Sequence, residues 1–340
     1  MEIRKLNALR ALAALIVFVT HFSDVSGWFS GRLGGGAGAY GVMLFFMLSG
    51  FLMAHLYCSQ TWSAANVRRY VIARIARIVP LYLVIVTVSF VLSLMDNNGL
   101  YTIPNAAALM GHLLFLYGDS VLWSIAPEVQ FYVVFIGLWA LAMNKPGFIY
   151  LIVVVVLIAL FFSNFPKVYG EFLGIPYNEF NVLRSFPYFF VGVLFGMNHR
   201  KIDIPDYLKS HWFILSLVLI VLMYPSFSPI TSDAKNRMWL SYEVLLVMGS
   251  IFFAILYLVP DTNVLLSNDL TDFLGKISYS LYLLHLPIIR IVEHWEFSVE
   301  LKLLASLSLS IALAYLSFRY FEYPIAQWIK RQVSTSRSVA

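Results

Sequence analysis

Long apolar runs separated by short polar stretches fill almost the whole chain. Runs at or near the length of a membrane-spanning helix, about 20 residues with a working range near 17–25, fall at 6–24, 41–56, 78–94, 129–143, 148–165, 185–198, 212–225, 239–259, 276–292 and 302–320. The pattern predicts an all-α, polytopic membrane protein with about ten transmembrane helices. Breakers stand where connections are needed, at Asn144-Lys145-Pro146-Gly147, Phe165-Pro166-Lys167 and Tyr224-Pro225. Residues 100–127 fit less well: Ala106 to Tyr117 and Leu122 to Ile125 are apolar but interrupted, with no Lys or Arg nearby. A re-entrant or interfacial helical segment is expected there. Residues 1–325 then form one integral-membrane domain, and 326–340 a short tail.

Composition strengthens this reading. Hydrophobic residues make up 60% of the chain and charged ones 12%, half the share of about 25% usual in soluble domains, and the mean hydropathy is +0.80. The net charge of +5 is spread over membrane-flanking loops rather than one stripe, which argues against a nucleic-acid partner. The lone Cys58 excludes an intramolecular disulfide and a Cys-rich metal site, and no His, Asp and Glu cluster has metal-ligand spacing, so no metal is expected. Arg10 interrupts the first run and no small-x-small cleavage site follows it, so the run reads as an uncleaved first span. Counting Lys and Arg over the ten-span arrangement gives sixteen on the side of both termini against seven opposite. By the positive-inside rule both termini are expected in the cytoplasm.

Two residues in the first run are out of place. Arg10 and His21 lie eleven positions apart, close to three helical turns, so both project from nearly one face about 16 Å apart at ~1.5 Å per residue. An Arg inside a span costs ~2.5–3.5 kcal/mol on insertion scales, which makes such residues functional candidates. A neutral imidazole accepts a proton from a hydroxyl and suits general-base work. Asp24, three residues on, either partners that imidazole or ends the helix. Gly36 to Gly41 matches G-x-G-x-x-G, but no strand precedes it; a compact loop or close helix packing is the better reading. Gly192 and Gly196 form a G-x-x-x-G packing pair.

Other candidates are more ambiguous. Arg68, Arg69, Arg74 and Arg77 precede Pro80. They suit an ordinary positive flank, yet all are Arg, whose fork grips phosphate bidentately, so a ligand with several phosphates is an equal reading. In Trp123-Ser124-Ile125-Ala126-Pro127-Glu128, Ser124 is a possible helix cap, and Glu128 shares a face with Tyr132 at i,i+4. Glu128 is either interfacial or part of a site. His285 is a second intramembrane histidine without an assignable role. Glu322 near Arg319 reads most simply as a helix-end ion pair.

These residues resemble the integral-membrane acyltransferase-3 family along almost the whole chain. The resemblance rests on Arg10 with His21, on Gly41-Val42-Met43-Leu44-Phe45-Phe46-Met47-Leu48-Ser49-Gly50-Phe51, and on Arg74 with Arg77. It continues through Trp123, Ser124, Glu128, Gln130, Phe131 and Tyr132, and through 278–285 and 321–324. Ile125 and Pro127 depart from the family's usual Leu and Val. The resemblance implies a bacterial cytoplasmic-membrane enzyme that moves an acyl group, acetyl being expected, from acetyl-coenzyme A to a hydroxyl of a glycan or lipid-linked oligosaccharide. His21 is then the general base or the acyl acceptor, with Ser124 and Glu128 orienting imidazole or acceptor. Arg10, Arg74 and Arg77, with Arg68 and Arg69, are expected to hold the donor; Asp24, Trp123 and Tyr132 are expected to line the acceptor site. The chain ends soon after its last span, so transfer by a single component without an appended hydrolase-like domain is expected. Two other classes stay open: a transporter using Arg10, His21, Glu128 and His285 as a proton or anion path, and a structural partner of a glycan-synthesis complex.

Overall fold

The computed structural model describes residues 4–95, 100–162, 171–172, 175–176, 181–228, 238–239 and 241–335. Apart from a two-residue antiparallel pairing of Glu171–Phe172 with Ile175–Pro176, the described regular structure is helical. Its centre is made of four helices: α1 (Arg4–Ser26), α2 (Gly38–Tyr57), α7 (Asn181–Asn198) and α10 (Asp269–Glu293). Around them lie α3 (Ala64–Leu94), α4 (Ala106–Leu113), α5 (Ile125–Asn144), α6 (Pro146–Phe162), α8 (Val218–Leu222), α9 (Tyr242–Phe253), α11 (Val299–Ser317) and α12 (Tyr323–Thr335).

Small residues set the central packing. With lipid outside, helices gain little by hiding apolar surface from water, so close backbone approach carries the association. On α2, a Cβ at Gly41 would stand 2.4 Å from the Ala13 carbonyl oxygen of α1. Between α2 and α7, a Cβ at Gly50 would meet Phe189 O at 2.2 Å; at Gly192, Met47 O at 2.1 Å; at Gly196, Phe51 O at 2.3 Å. The G-x-x-x-G pair is thus a backbone-to-backbone seam. At Gly275 of α10 the obstacle would be Asn7 O of α1, at 2.3 Å. Because Asn7 also donates to Asp272 (3.3 Å) and His21 meets His285 further along, α1 and α10 run parallel.

Outward faces are apolar rather than charged. Leu83, Val84, Val88 and Val91 of α3 and Leu151, Val154, Val155 and Ile158 of α6 are exposed, as lipid-facing surfaces require. Five described helical stretches are long and apolar enough to cross a bilayer: Arg4–Ser26, Gly38–Tyr57, Ala64–Leu94, Ser120–Asn144 and Val299–Gln332. Among the described residues that is fewer than the ten expected. Pro146–Ala159, Val182–Asn198, His211–Leu222 and Tyr242–Leu258 are apolar but shorter. The 25-residue α10 carries Asp269, Asp272, Lys276, Arg290 and Glu293 towards its ends.

Several boundaries also move. The basic segment at 68–77 is not a flank ahead of a span beginning at 78 but the first half of the 31-residue α3. Ser63 caps that helix through the Asn66 N–H, and Pro80 sits inside it, at the cost of one backbone hydrogen bond. Residues 212–225 begin as 3₁₀ helix, His211–Leu217, before the short α8. The last span runs through a π turn at Phe318–Glu322 into α12, so most of the expected tail is helical. Residues 100–127 hold α4 and a 3₁₀ turn, Ser120–Ser124, with Tyr101 and Ile103 fully buried. The Phe165-Pro166-Lys167 breaker and Lys235, Arg237 and Arg337 of the charge count lie outside the described residues.

The glycine seam is testable. Gly192→Val is expected to destabilise the detergent-solubilised protein by ~1–3 kcal/mol, the usual cost of overpacking, read as a lowered thermal midpoint. Gly147→Ala, where a Cβ meets nothing within 4 Å, should leave the midpoint within about a degree; equal midpoints for both variants would contradict the seam.

Candidate active site

Parallel packing of α1 on α10 brings two histidines face to face. His21 Nδ1 lies 2.8 Å from His285 Nε2, with the rings 5.1 Å apart and nearly parallel. The other nitrogen of His285, Nδ1, faces the carbonyl oxygens of Tyr282 (2.7 Å) and Leu281 (3.2 Å). Carbonyls only accept, so Nδ1 of His285 carries the hydrogen and its Nε2 is the acceptor. His21 Nδ1 must then donate, which leaves the lone pair on His21 Nε2. The pair therefore fixes one tautomer of His21, the one with a basic nitrogen to spare.

Three cavities follow one another through the helices. The first, of about 320 Å³, lies at the end where α1 begins and is lined by Arg10, Arg74, Arg77, Lys276 and Lys330, with Glu322 the one acidic wall residue among the described residues. Arg10, Arg74, Arg77 and Tyr279 also line the second, a central space of about 50 Å³ that reaches Ser49, Ser124, Glu128 and Tyr282. Val42 and Tyr282 are shared in turn with the third, of about 420 Å³, which contains His21, Asp24, Trp123, Arg184 and Trp239. Tyr282 is pinned at this neck: its hydroxyl donates to Val121 O (2.9 Å) and lies 2.8 Å from Ser124 Oγ.

Arg74 is buried among three tyrosine rings, Tyr57, Tyr70 and Tyr132, with centroids 5.9–6.0 Å from its guanidinium carbon, and its Nε has no partner. Tyr132 donates to Glu128 Oε1 (2.7 Å), which also accepts from Ser49 (2.9 Å). Arg10 reaches Asn7 at 3.4 Å. A phosphate approaching this mouth meets the Arg74 guanidinium held among aromatic faces, with no described carboxylate in ion-pair contact with it.

The sequence-derived candidates divide accordingly. Arg10, Arg74, Arg77, Ser124 and Glu128 converge on the central cavity. His21, Asp24 and Trp123 line the third, and Tyr132 joins the centre through Glu128. Arg68 and Arg69 are exposed and line none of the three cavities; Arg69 bonds Asn66. Asp24 is not the partner of His21: its Oδ1 accepts from the Gly35 N–H at 2.8 Å. Neither Ser124 nor Glu128 orients the imidazole, since their partners are Tyr282, Ser49 and Tyr132. The Ser124 side chain does not cap α5 either. Glu322 is buried and accepts from Ser280 and Ser317 (2.9 Å for the latter) rather than pairing with Arg319. For acyl transfer, sequence reading gave no role to His285, Ser49, Arg184 or Trp239 individually. The polar serine and imidazole inside apolar runs were the only local signals for the first two.

The site thus joins an arginine-lined mouth to an oriented imidazole inside a bundle of membrane-length helices. The match to the Acyl_transf_3 acyltransferase domain over residues 3–319 shows that the chain belongs to this family of acyltransferases. Relatives in Staphylococcus aureus strains COL, MSSA476 and MRSA252, each named "Putative O-acetyltransferase", are 26% identical over 94% of this chain. The chain spans about half the length of these curated relatives, 56%. No solved structure matches it significantly.

The histidine pair has a spectroscopic signature. In ¹⁵N-histidine-labelled protein, His21→Ala and His285→Ala should each remove one Nδ1–H tautomer signal from the spectrum near neutral pH. His285→Ala should also shift the His21 signal towards a mixture of tautomers. An unshifted His21 signal would show that His285 does not hold its tautomer.

Proposed function

We propose that this chain is an O-acyltransferase that moves an acyl group, acetyl in the simplest case, from a coenzyme A thioester to a hydroxyl of a cell-surface or exported glycan. The observation that carries the proposal is the run of cavities from Arg10, Arg74 and Arg77 to the free Nε2 of His21. The S. aureus relatives' name supports the O-acetyl chemistry. In this reading the protein sits in a bacterial cytoplasmic membrane with both termini inside, so that the cationic mouth faces the donor.

The donor's phosphates bind at the first cavity, where Arg10, Arg74, Arg77, Lys276 and Lys330 supply forked and point-charge contacts. Its extended arm runs through the narrow central space past Ser49, Glu128 and Tyr282 towards the neck. Arg10 and His21 stand about 16 Å apart along α1 at ~1.5 Å per residue, a gap that an arm, not a phosphate, must bridge. The acceptor enters the third cavity from the opposite side. Its hydroxyl gives its proton to His21 Nε2 as the oxygen attacks the thioester carbonyl; the carbon–sulfur bond breaks, and the imidazolium returns the proton to the departing thiolate. His285 stabilises that imidazolium by accepting the Nδ1–H throughout.

Reconstituted into liposomes with acetyl-coenzyme A and extracted surface glycan, the wild type is expected to form alkali-labile acetyl esters. His21→Ala should lower kcat by about 10²–10⁴-fold, the range for losing a general base. Arg74→Gln should instead raise the donor KM by roughly 10- to 100-fold, matching the ~1.5–3 kcal/mol of a lost charged contact. A wild type that moves solute but transfers no acyl group from any coenzyme A thioester would overturn the proposal.

A further inference from the structure

Arg184 stands at the start of α7 in the third cavity. Its guanidinium carbon is 4.5 Å from the ring centroid of Trp123 and 5.5 Å from that of Trp239. The two indoles meet edge to face, 5.4 Å apart at 87°, so the cation lies in the corner they make. Trp239 is braced in turn by Tyr188 and Phe46. Among the described residues Arg184 has no ion pair and no hydrogen bond, and its Nε is buried without a partner there. Asp24, the acidic residue on the same cavity wall, is exposed and engaged by the Gly35 N–H rather than by Arg184.

A half-buried arginine without a described counter-ion carries a desolvation cost, and cation–π contacts of roughly 0.5–2 kcal/mol offset only part of that. Its position gives the cost a use. Arg184 shares a cavity with the basic nitrogen of His21, on the far side of the neck from the donor mouth. Indole faces suit the apolar face of a sugar ring, and a forked guanidinium suits a carboxylate or phosphodiester. We infer that Arg184, seated between Trp123 and Trp239, is an anion subsite for the acceptor, so that the glycan acylated here carries an oxyanion on or next to the modified sugar. This inference rests on the acyl-transfer reading and adds to it the acceptor's charge class.

The test uses the endogenous acceptor. Cells producing the wild-type chain or His21→Ala are fed radiolabelled acetate, and surface glycans are extracted and separated by anion exchange. The expected result is His21-dependent, alkali-labile label in the retained fraction, falling at least tenfold in Arg184→Gln and partly restored in Arg184→Lys. Reduction of carboxyl groups before separation would release the labelled glycan if the anion is a uronic acid; hydrogen fluoride cleavage would release it if it is a phosphodiester. Label in the unretained, neutral fraction would overturn the subsite while leaving acyl transfer intact, and so would full labelling of the anionic fraction by Arg184→Gln. Absence of any His21-dependent label would overturn the acyl-transfer reading itself. Should Arg184→Gln fail to accumulate in the membrane, the comparison of wild type with His21→Ala still decides which charge class is modified.

Discussion

The contact on which the rest of this structure depends is the parallel packing of α1 on α10. It is possible only because Gly275 lets the α10 backbone reach Asn7, where any side chain would strike the carbonyl oxygen at 2.3 Å. That close approach at one end sets the register at the other, where His21 and His285 meet at 2.8 Å. Since His285 is held by backbone carbonyls of its own helix turn, its tautomer is a property of the helix rather than of a mobile partner. The orientation of the His21 imidazole thus derives from a glycine ten residues earlier in α10, through rigid backbone.

The same economy governs the charges. In a medium of low dielectric constant, an unpaired charge is tolerated where water or ligand reaches it, or where aromatic faces surround it. Arg74 among three tyrosines and Arg184 between two tryptophans follow the second route. Among the described residues no carboxylate pairs with either, so each keeps its attraction for an anion from outside the protein. Glu128 is held in a different way: Ser49 and Tyr132 both donate to its Oε1, and no described guanidinium stands within ion-pair distance of it.

Much of this was legible in the sequence because membrane residence makes anomalies visible. An Arg and a His in one apolar run, a glycine pair at i,i+4 and an Arg pair at i,i+3 each carried a geometric meaning that the helices realise at Arg10, His21, Gly192, Gly196, Arg74 and Arg77. What was illegible is long-range. Nothing in the run around Asp24 says that its carboxylate is taken by Gly35, and nothing near His285 says which helix it faces. The span count failed for a related reason. Hydropathy treats each apolar run alone, whereas α8, α9 and the 3₁₀ segment at 211–217 are short, irregular pieces whose ends depend on neighbours. Pro80 does not end α3, since its fixed φ is compatible with helix and it removes one backbone hydrogen bond, not the whole turn.

The neck between the central and third cavities bears on which class of membrane protein this is. A transporter needs a path that opens to each side in turn, and hence an element free to move at its constriction. Here the constriction is Tyr282, tied by its hydroxyl to Val121 and Ser124, which lie in the turn leading into α5, and stacked edge-on against Phe45. Tyr282 also supplies the carbonyl that fixes the His285 tautomer. Movement of this residue to pass a solute would disturb the histidine pair whose orientation it sets. A thin acyl-bearing arm can enter the narrow space beside a fixed Tyr282, whereas bulk transport requires its displacement. The bonding of this one side chain therefore favours transfer across a closed neck over transport through an open one.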